Sequence, residues 1–169
     1  MGKKRGAIVT IQIRVGNGFD IHAHVDDPSR TLVLGGVKFP GARPLAGHSD
    51  ADVVAHAAAD ALLGAAGLGD IGEHFPDTDP RFKGANSIEL LTEVAAKLRA
   101  GGWTIGNVDC SLVCEEPKIA PAKAEMQRNL SIAIGAPVSV KGRRAEKLGS
   151  IGRGEGIACF ASAVITKEQ

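Results

Sequence analysis

The chain has 169 residues, 44% of them hydrophobic, which makes one domain with material for a real core. With 20 basic and 19 acidic side chains the net charge is only +1, which argues against nucleic acid as the main partner; local basic clusters at Lys3-Lys4-Arg5 and Arg143-Arg144 are of the kind that binds phosphates. Aromatics are scarce (5 Phe, 1 Trp, no Tyr) and 22 residues are Gly, so the core is expected to consist of small aliphatic side chains, with part of the apolar surface buried between subunits.

Residues 1–8 read as a flexible N-terminal extension and residues 9–169 as one domain. Val9, Ile11, Ile13 and Val15 alternate with polar residues and predict a strand, broken by Gly16 to Gly18 and continuing extended from Phe19 to His24. The interruptions at Thr10, Gln12 and Arg14 and the Gly at position 6 fit neither a secretory leader nor a myristoylation site. No run approaches the ~18 apolar residues of a membrane span. A cytoplasmic protein with no membrane partner is expected. "TLVLGGVKFP" predicts a second strand with a Gly-Gly bend, consistent with a hairpin. Ser49 or Asp50 is placed to cap a helix running to about Ala66 and ended by Gly67. The 19 residues "LGDIGEHFPDTDPRFKGAN" are dense in Gly, Pro and Asp, and loops that long are usually functional.

Asn86 and Glu89 have capping-box spacing for a helix with Leu90, Leu91, Val94, Ala95 and Leu98 on one side, ended by Gly101-Gly102. "WTIGNVDCSLVC" predicts a strand with Val108, Cys110, Leu112 and Cys114 on one face. A third helix is expected from near Pro121 to about Ile134. "PVSVK" is a short strand, "GRRAEKLGSIGRGEG" a loop, and "IACFASAVIT" a strand apolar on both faces and therefore central. The fold class is α+β: one mixed sheet with about three helices mainly on one face. The three cysteines, Cys110, Cys114 and Cys159, form no C-x-x-C pair, and the first two lie ~13 Å apart on one strand, so all three read as buried reduced thiols.

Four constellations carry chemistry. Asp20, His22 and His24 share one strand face, which either a solvated edge or a metal site explains. His48, Asp52 and His56 recur every four residues, which would line the first turns of a helix otherwise made of Ala, Val and Leu; Asp52 is placed to orient an imidazole. Asp20, His22 and His56 together supply three zinc ligands with one open position, as catalytic zinc requires. In the long loop, Asp70, Asp77 and Asp79 with Gly72 and Gly84 suit a polyol, a ribose or a second metal, or are an ordinary acidic surface. Lys118, Arg143, Arg144, Lys147 and Arg153 are cations near Gly-rich turns, as phosphate sites need, and Glu146 among them is either a salt-bridge partner or a ligand for Mg²⁺ shared with phosphates. No G-x-S-x-G, Walker A motif or activated Cys is present. Metal and cations without a protein nucleophile suit phosphoryl transfer, where positioning and charge stabilisation dominate.

These residues, "GFDIHAH", the block from Gly47 to Ser87, "GNVD", "PKIAP" and "EKLGSIGRGEG", resemble the 2-C-methyl-D-erythritol 2,4-cyclodiphosphate synthase family over about residues 13 to 167. The resemblance implies cyclisation of 4-diphosphocytidyl-2-C-methyl-D-erythritol 2-phosphate: the substrate's 2-phosphate attacks its β-phosphorus and CMP leaves. It implies zinc on Asp20, His22 and His56, with one ion per subunit and with Asp20 and His22 also touching substrate. His24 matches no ligand. It implies phosphate contacts from His48 and Ser49, His48 being a transition-state stabiliser. Methylerythritol would bind along Asp70, Ile71, Gly72, Phe75, Pro76, Asp77, Thr78 and Asp79. The cytidine pocket would be Cys114, Pro117, Lys118, Ile119 and Ala120. Glu146 would hold Mg²⁺ or Mn²⁺ against the diphosphate, beside Arg143, Arg144, Ala145 and Arg153. Homotrimers with active sites between subunits are implied.

The chain departs from that pattern before Glu146, where the family usually carries a small hydroxyl residue. Arg144 stands at the second stabiliser's position and is able to donate bidentately to phosphate, or to point to solvent. Ser150 replaces a bulkier apolar residue. Two other readings compete: a zinc phosphohydrolase with a metal-bound water, giving linear product, and a non-catalytic nucleotide-binding trimer with a closed zinc site completed by His48 or His24.

Overall fold

The computed structural model describes residues 9–169, so the extension at residues 1–8 lies outside the described residues. The alternation that begins at Val9 produces β1, Ile11–Ala23, and this strand runs straight through Gly16 and Gly18. The expected break is absent for a packing reason. Both glycines face α1, Val53–Ala66, and a Cβ on Gly16 or Gly18 would lie 2.0 or 2.1 Å from the carbonyl oxygen of Ala61 or Ala57. Ala57, Ala61 and Ala65, four residues apart, present the matching flat stripe of the helix.

The last strand, β6 (Gly156–Glu168), is central as expected. It pairs antiparallel with β1 on one side and with β4 (Thr104–Val113) on the other, and β5 (Val138–Arg143) joins β4 in parallel to complete a mixed sheet. A register shift at Gly106 bulges β4. The parallel pair is joined through α4, Lys123–Ile134, as a parallel crossover requires.

Where one sheet was expected there are two. β2 (Leu32–Leu34) and β3 (Val37–Phe39) form a separate hairpin. Its turn residues Gly35 and Gly36 both have positive φ, 57° and 72°, the conformation that a two-residue type I′ turn demands and that glycine adopts without strain.

Three long helices cover one face of the main sheet: α1, α3 (Ser87–Ala100) and α4. The core between them is Ala, Val and Leu with the three thiols, as composition required: Cys110, Cys114 and Cys159 are free and buried. The long loop holds a four-residue helix, α2 (Ile71–His74), and a 3-10 turn at Pro80–Phe82, capped by Asp70 and Asp79. The loop expected after "PVSVK" loses its first residues to β5 and contains a second short helix, α5 (Gly149–Gly152). No helix among the described residues is long and apolar enough to cross a membrane.

The sheet face away from the helices is exposed and apolar. Ile13, Val15, Phe19, Ile21 and Phe160 stand on it, with Val15 71% exposed and the rings of Phe19 and Phe160 paired at 4.7 Å.

Candidate metal centre and phosphate-binding cleft

Asp20 and His22 leave β1 on its helix face, because alternation puts i and i+2 on the same side. His56 comes down onto them from the first turn of α1. The three donor atoms converge. Asp20 Oδ2 is 2.9 Å from His22 Nε2 and 3.0 Å from His56 Nδ1, and the two nitrogens are 3.2 Å apart. A proton between one pair cannot satisfy all three atoms at once. A tetrahedral zinc ion, with bonds of about 2.0–2.1 Å, holds its ligands about 3.3 Å apart, so the donor set fits that ion closely. Among the described residues this is the one triad of His, Cys, Asp or Glu with ligand spacing. Burial works against the charge on Asp20, yet hydrogen bonds from His22 and His56 hold its carboxyl far below the usual carboxylate range. Burial alone would lower His56, but the bond and charge of Asp20 outweigh it and raise the imidazole.

Two expectations for this region need correction. His48 does not share a helix face with His56, because α1 begins only at Val53; His48 sits in the preceding turn, where its carbonyl accepts from Gly84 N–H at 2.7 Å. Nor do Ser49 or Asp50 cap the helix. Asp52 does, accepting from Val54 and Ala55 N–H, and its carboxylate also takes Gly35 and Gly36 N–H at 2.8 and 2.7 Å. It therefore ties the hairpin turn to α1 and orients no imidazole. The partners of His56 are two hydroxyls that sequence reasoning left without a structural role: Nε2 lies 2.8 Å from Ser87 Oγ and 3.2 Å from Ser49 Oγ. His24 turns away and donates from Nδ1 to Pro44 O at 3.2 Å.

The segment expected to bind the polyol is anchored to the same helix. Asp60, one turn beyond His56, accepts from Ile71 N–H at 2.8 Å. Asp70 caps α2, and its neighbours Gly72 and Asp77 are exposed while Phe75 is buried. Asp79 is held by Arg81 through the guanidinium and the 3-10 cap. Pro76 is half-buried and Thr78 exposed.

A second feature opens at the far edge of the sheet. A cleft of about 380 Å³ is lined by Cys114, Glu115, Pro117 to Ala120, Lys123 and Lys141 to Arg144. Gly142 makes room in it: a Cβ there would lie 2.7 Å from Ile119 Cδ1. Burial, reinforced by Glu116 and Glu115, pushes the Cys114 thiol up to about 11, so it lines the wall as an inert group. Arg144 is exposed at the rim, whereas Arg143 bonds its neighbour's carbonyl through Nη1 and Arg153 pairs with Glu155. Glu146 and Lys147 are both left-handed, with φ of 52° and 64°, in a tight turn closed by Leu148 N–H to Ala145 O at 2.9 Å.

Metal triad and cleft stand apart. Asp20 faces Cys159, which faces Leu112, which faces Gly142, so three strand spacings (~14 Å) of core lie between them.

Residues 13–166 match the YgbB family. A 2-C-methyl-D-erythritol 2,4-cyclodiphosphate synthase of Enterococcus faecalis is 50% identical over 158 residues, 92% of this chain and 99% of its own length. The bifunctional IspDF of Campylobacter jejuni superposes with a TM-score of 0.88 at 43% identity, over 94% of this chain and 43% of that one. A Plasmodium falciparum IspF CDP complex superposes at 0.78 with 37% identity, over 90% of this chain and 95% of the other. The chain thus belongs to the YgbB family, alongside these cyclodiphosphate synthases.

Proposed function

We propose that the chain cyclises 4-diphosphocytidyl-2-C-methyl-D-erythritol 2-phosphate to 2-C-methyl-D-erythritol 2,4-cyclodiphosphate. A 2-phosphate oxygen bonds to the β-phosphorus, the bond from that phosphorus to the bridging oxygen breaks, and CMP departs with the electron pair. The observation that carries the reading is the convergence of Asp20, His22 and His56 to within 3.2 Å in a chain that belongs to this family. Zinc held by those three residues would act as a Lewis acid on the β-phosphate and a template for attack. His48 and Ser49 donate to the phosphates from the turn beside it. Asp70 to Asp79 hold the methylerythritol, and Glu146 would hold Mg²⁺ or Mn²⁺, which would neutralise charge on the diphosphate.

The cytidine lies in the cleft between Cys114 and Arg144. The CDP complex of the P. falciparum relative supports a cytidine diphosphate ligand. Arg144 takes the place of the missing hydroxyl and bonds the diphosphate, its exposed rim position leaving the guanidinium free to do so.

The active protein is a homotrimer with its sites between subunits. Two observations support this: the exposed apolar sheet face, which water would otherwise cover, and the ~14 Å of packed core between one chain's triad and its own cleft. Residues 9–169 are the catalytic domain and the cytoplasm its site of action.

His56→Ala and Arg144→Ala test the assignment by CMP release and metal content. The first should lose zinc and turnover; full activity with normal zinc would refute the ligand set. The second should keep zinc and raise KM; unchanged kinetics would show that the side chain is solvated.

A further inference from the structure

We infer that Ser87 and Asp50 are positioning residues that fix His56 for the metal. The inference rests on the reading of Asp20, His22 and His56 as a zinc site. His56 presents Nδ1 to Asp20 and His22, so a metal taken there leaves the ring proton on Nε2. That N–H points at Ser87 Oγ, 2.8 Å away, with Ser49 Oγ second at 3.2 Å. Ser87 is 1% exposed, so its own hydroxyl proton must find a partner inside the protein. Asp50 Oδ1 accepts it in a very short bond, and Asp50 Oδ2 takes the Ser87 backbone N–H at 3.1 Å. The carboxylate therefore grips the serine at both donors, and the serine has no rotamer freedom left.

The result is a directed chain: Asp50 accepts from Ser87, Ser87 accepts from His56, and His56 offers its lone pair at Nδ1. Such a chain selects the tautomer, locks the ring plane and makes the ligand nitrogen more basic. Asp50 is itself held, since its backbone N–H donates to Ala85 O at 3.0 Å and its Oδ1 accepts from Asp52 N–H at 3.2 Å. Ser87 is the first residue of α3, so the start of that helix is tied to the metal centre.

The test is the zinc dissociation constant of the full chain, by competition with a fluorescent chelator, with CMP binding as a readout from the distant cleft. Ser87→Ala should raise that constant about 10- to 100-fold and leave CMP affinity unchanged. Ser87→Thr, which keeps the hydroxyl, should recover most of the loss. Asp50→Asn removes the terminal carboxylate and should weaken zinc as well, which keeps the question open to measurement if Ser87→Ala does not fold. Unchanged zinc affinity in Ser87→Ala, or equal losses of zinc and CMP binding, would overturn the inference. Because zinc affinity is read without turnover, parent protein that binds zinc but forms no cyclic product would sink the proposed activity and leave this assignment standing.

Discussion

Gly18→Ala should damage the fold and the proposed metal site together. The added Cβ would lie 2.1 Å from Ala57 O and 2.6 Å from Ala61 N. Ordinary contact begins near 3.4 Å, so α1 must recede from β1 by about 1.3 Å, and since both clashing atoms are backbone no side chain can rotate away. Overpacking usually costs about 1–3 kcal/mol, and this rigid contact belongs at the upper end. For a chain of this size that is a fall in Tm of roughly 6–12 °C. His56 is the neighbour of Ala57, so the same movement carries Nδ1 away from Asp20 and His22 by several times the ~0.2 Å that a metal bond tolerates. Thermal unfolding with and without zinc, and zinc content after dialysis, read both effects. The control is Gly64→Ala in the same helix, where the Cβ meets only Asn17 O at 3.7 Å. It should stabilise by ~0.5–1 kcal/mol through helix propensity. Gly18→Ala protein with parental Tm and full zinc would refute the backbone-contact argument.

In metal-free protein the Asp20–His56 pair makes stability depend on pH. The Asp20 carboxyl is depressed below 3.8, so its contribution is present above that value and is lost as pH falls through the folded value. His56 is raised above 6.5, so its contribution is complete below 6.5 and disappears as pH rises through its folded value. The Tm of chelated protein should therefore decline as pH rises above 6.5, and a flat profile there would contradict the coupling; Asp20→Asn should abolish the decline. Asp60→Ala, which removes the acceptor for Ile71 N–H, should loosen the segment proposed to hold the methylerythritol and raise KM about 2- to 12-fold, the equivalent of ~0.5–1.5 kcal/mol for one hydrogen bond. Asp60→Asn keeps an acceptor and should stay near the parent. Identical KM values in all three proteins would show that the anchor does not matter.

The metal triad was legible because two of its members obey the strand period and the third lies at the start of an unmistakable Ala-rich helix. Of the cations read near glycine-rich turns, Lys118, Arg143 and Arg144 do line one cleft, while Lys147 and Arg153 do not; the rest of its wall, Cys114 and Pro117 to Ala120, was implied only by the family resemblance. What misled was local ambiguity. Gly16 and Gly18 look like punctuation until a helix is laid across them, since their close approach to its backbone is what requires glycine there. Asp52 has the spacing of an imidazole partner, but an acid just before a helix is better used as a cap, and here it gathers two further N–H groups from a hairpin turn. The role of Ser87 and Asp50 beside His56 was not legible, and Asp50 read instead as a helix cap. They are 37 positions apart, and neither lies in a pattern that points toward His56; only tertiary packing of α3 brings them there. The short helices α2 and α5 escaped because four residues carry no period.

Phosphorus NMR of the purified protein with 4-diphosphocytidyl-2-C-methyl-D-erythritol 2-phosphate and Mg²⁺, with and without a zinc chelator, addresses the cyclisation itself. The expected spectrum shows the cyclic diphosphate appearing in step with CMP, both abolished by the chelator and restored by zinc. CMP accompanied by a linear phosphate, or cyclic product that persists in stripped protein, would contradict the account.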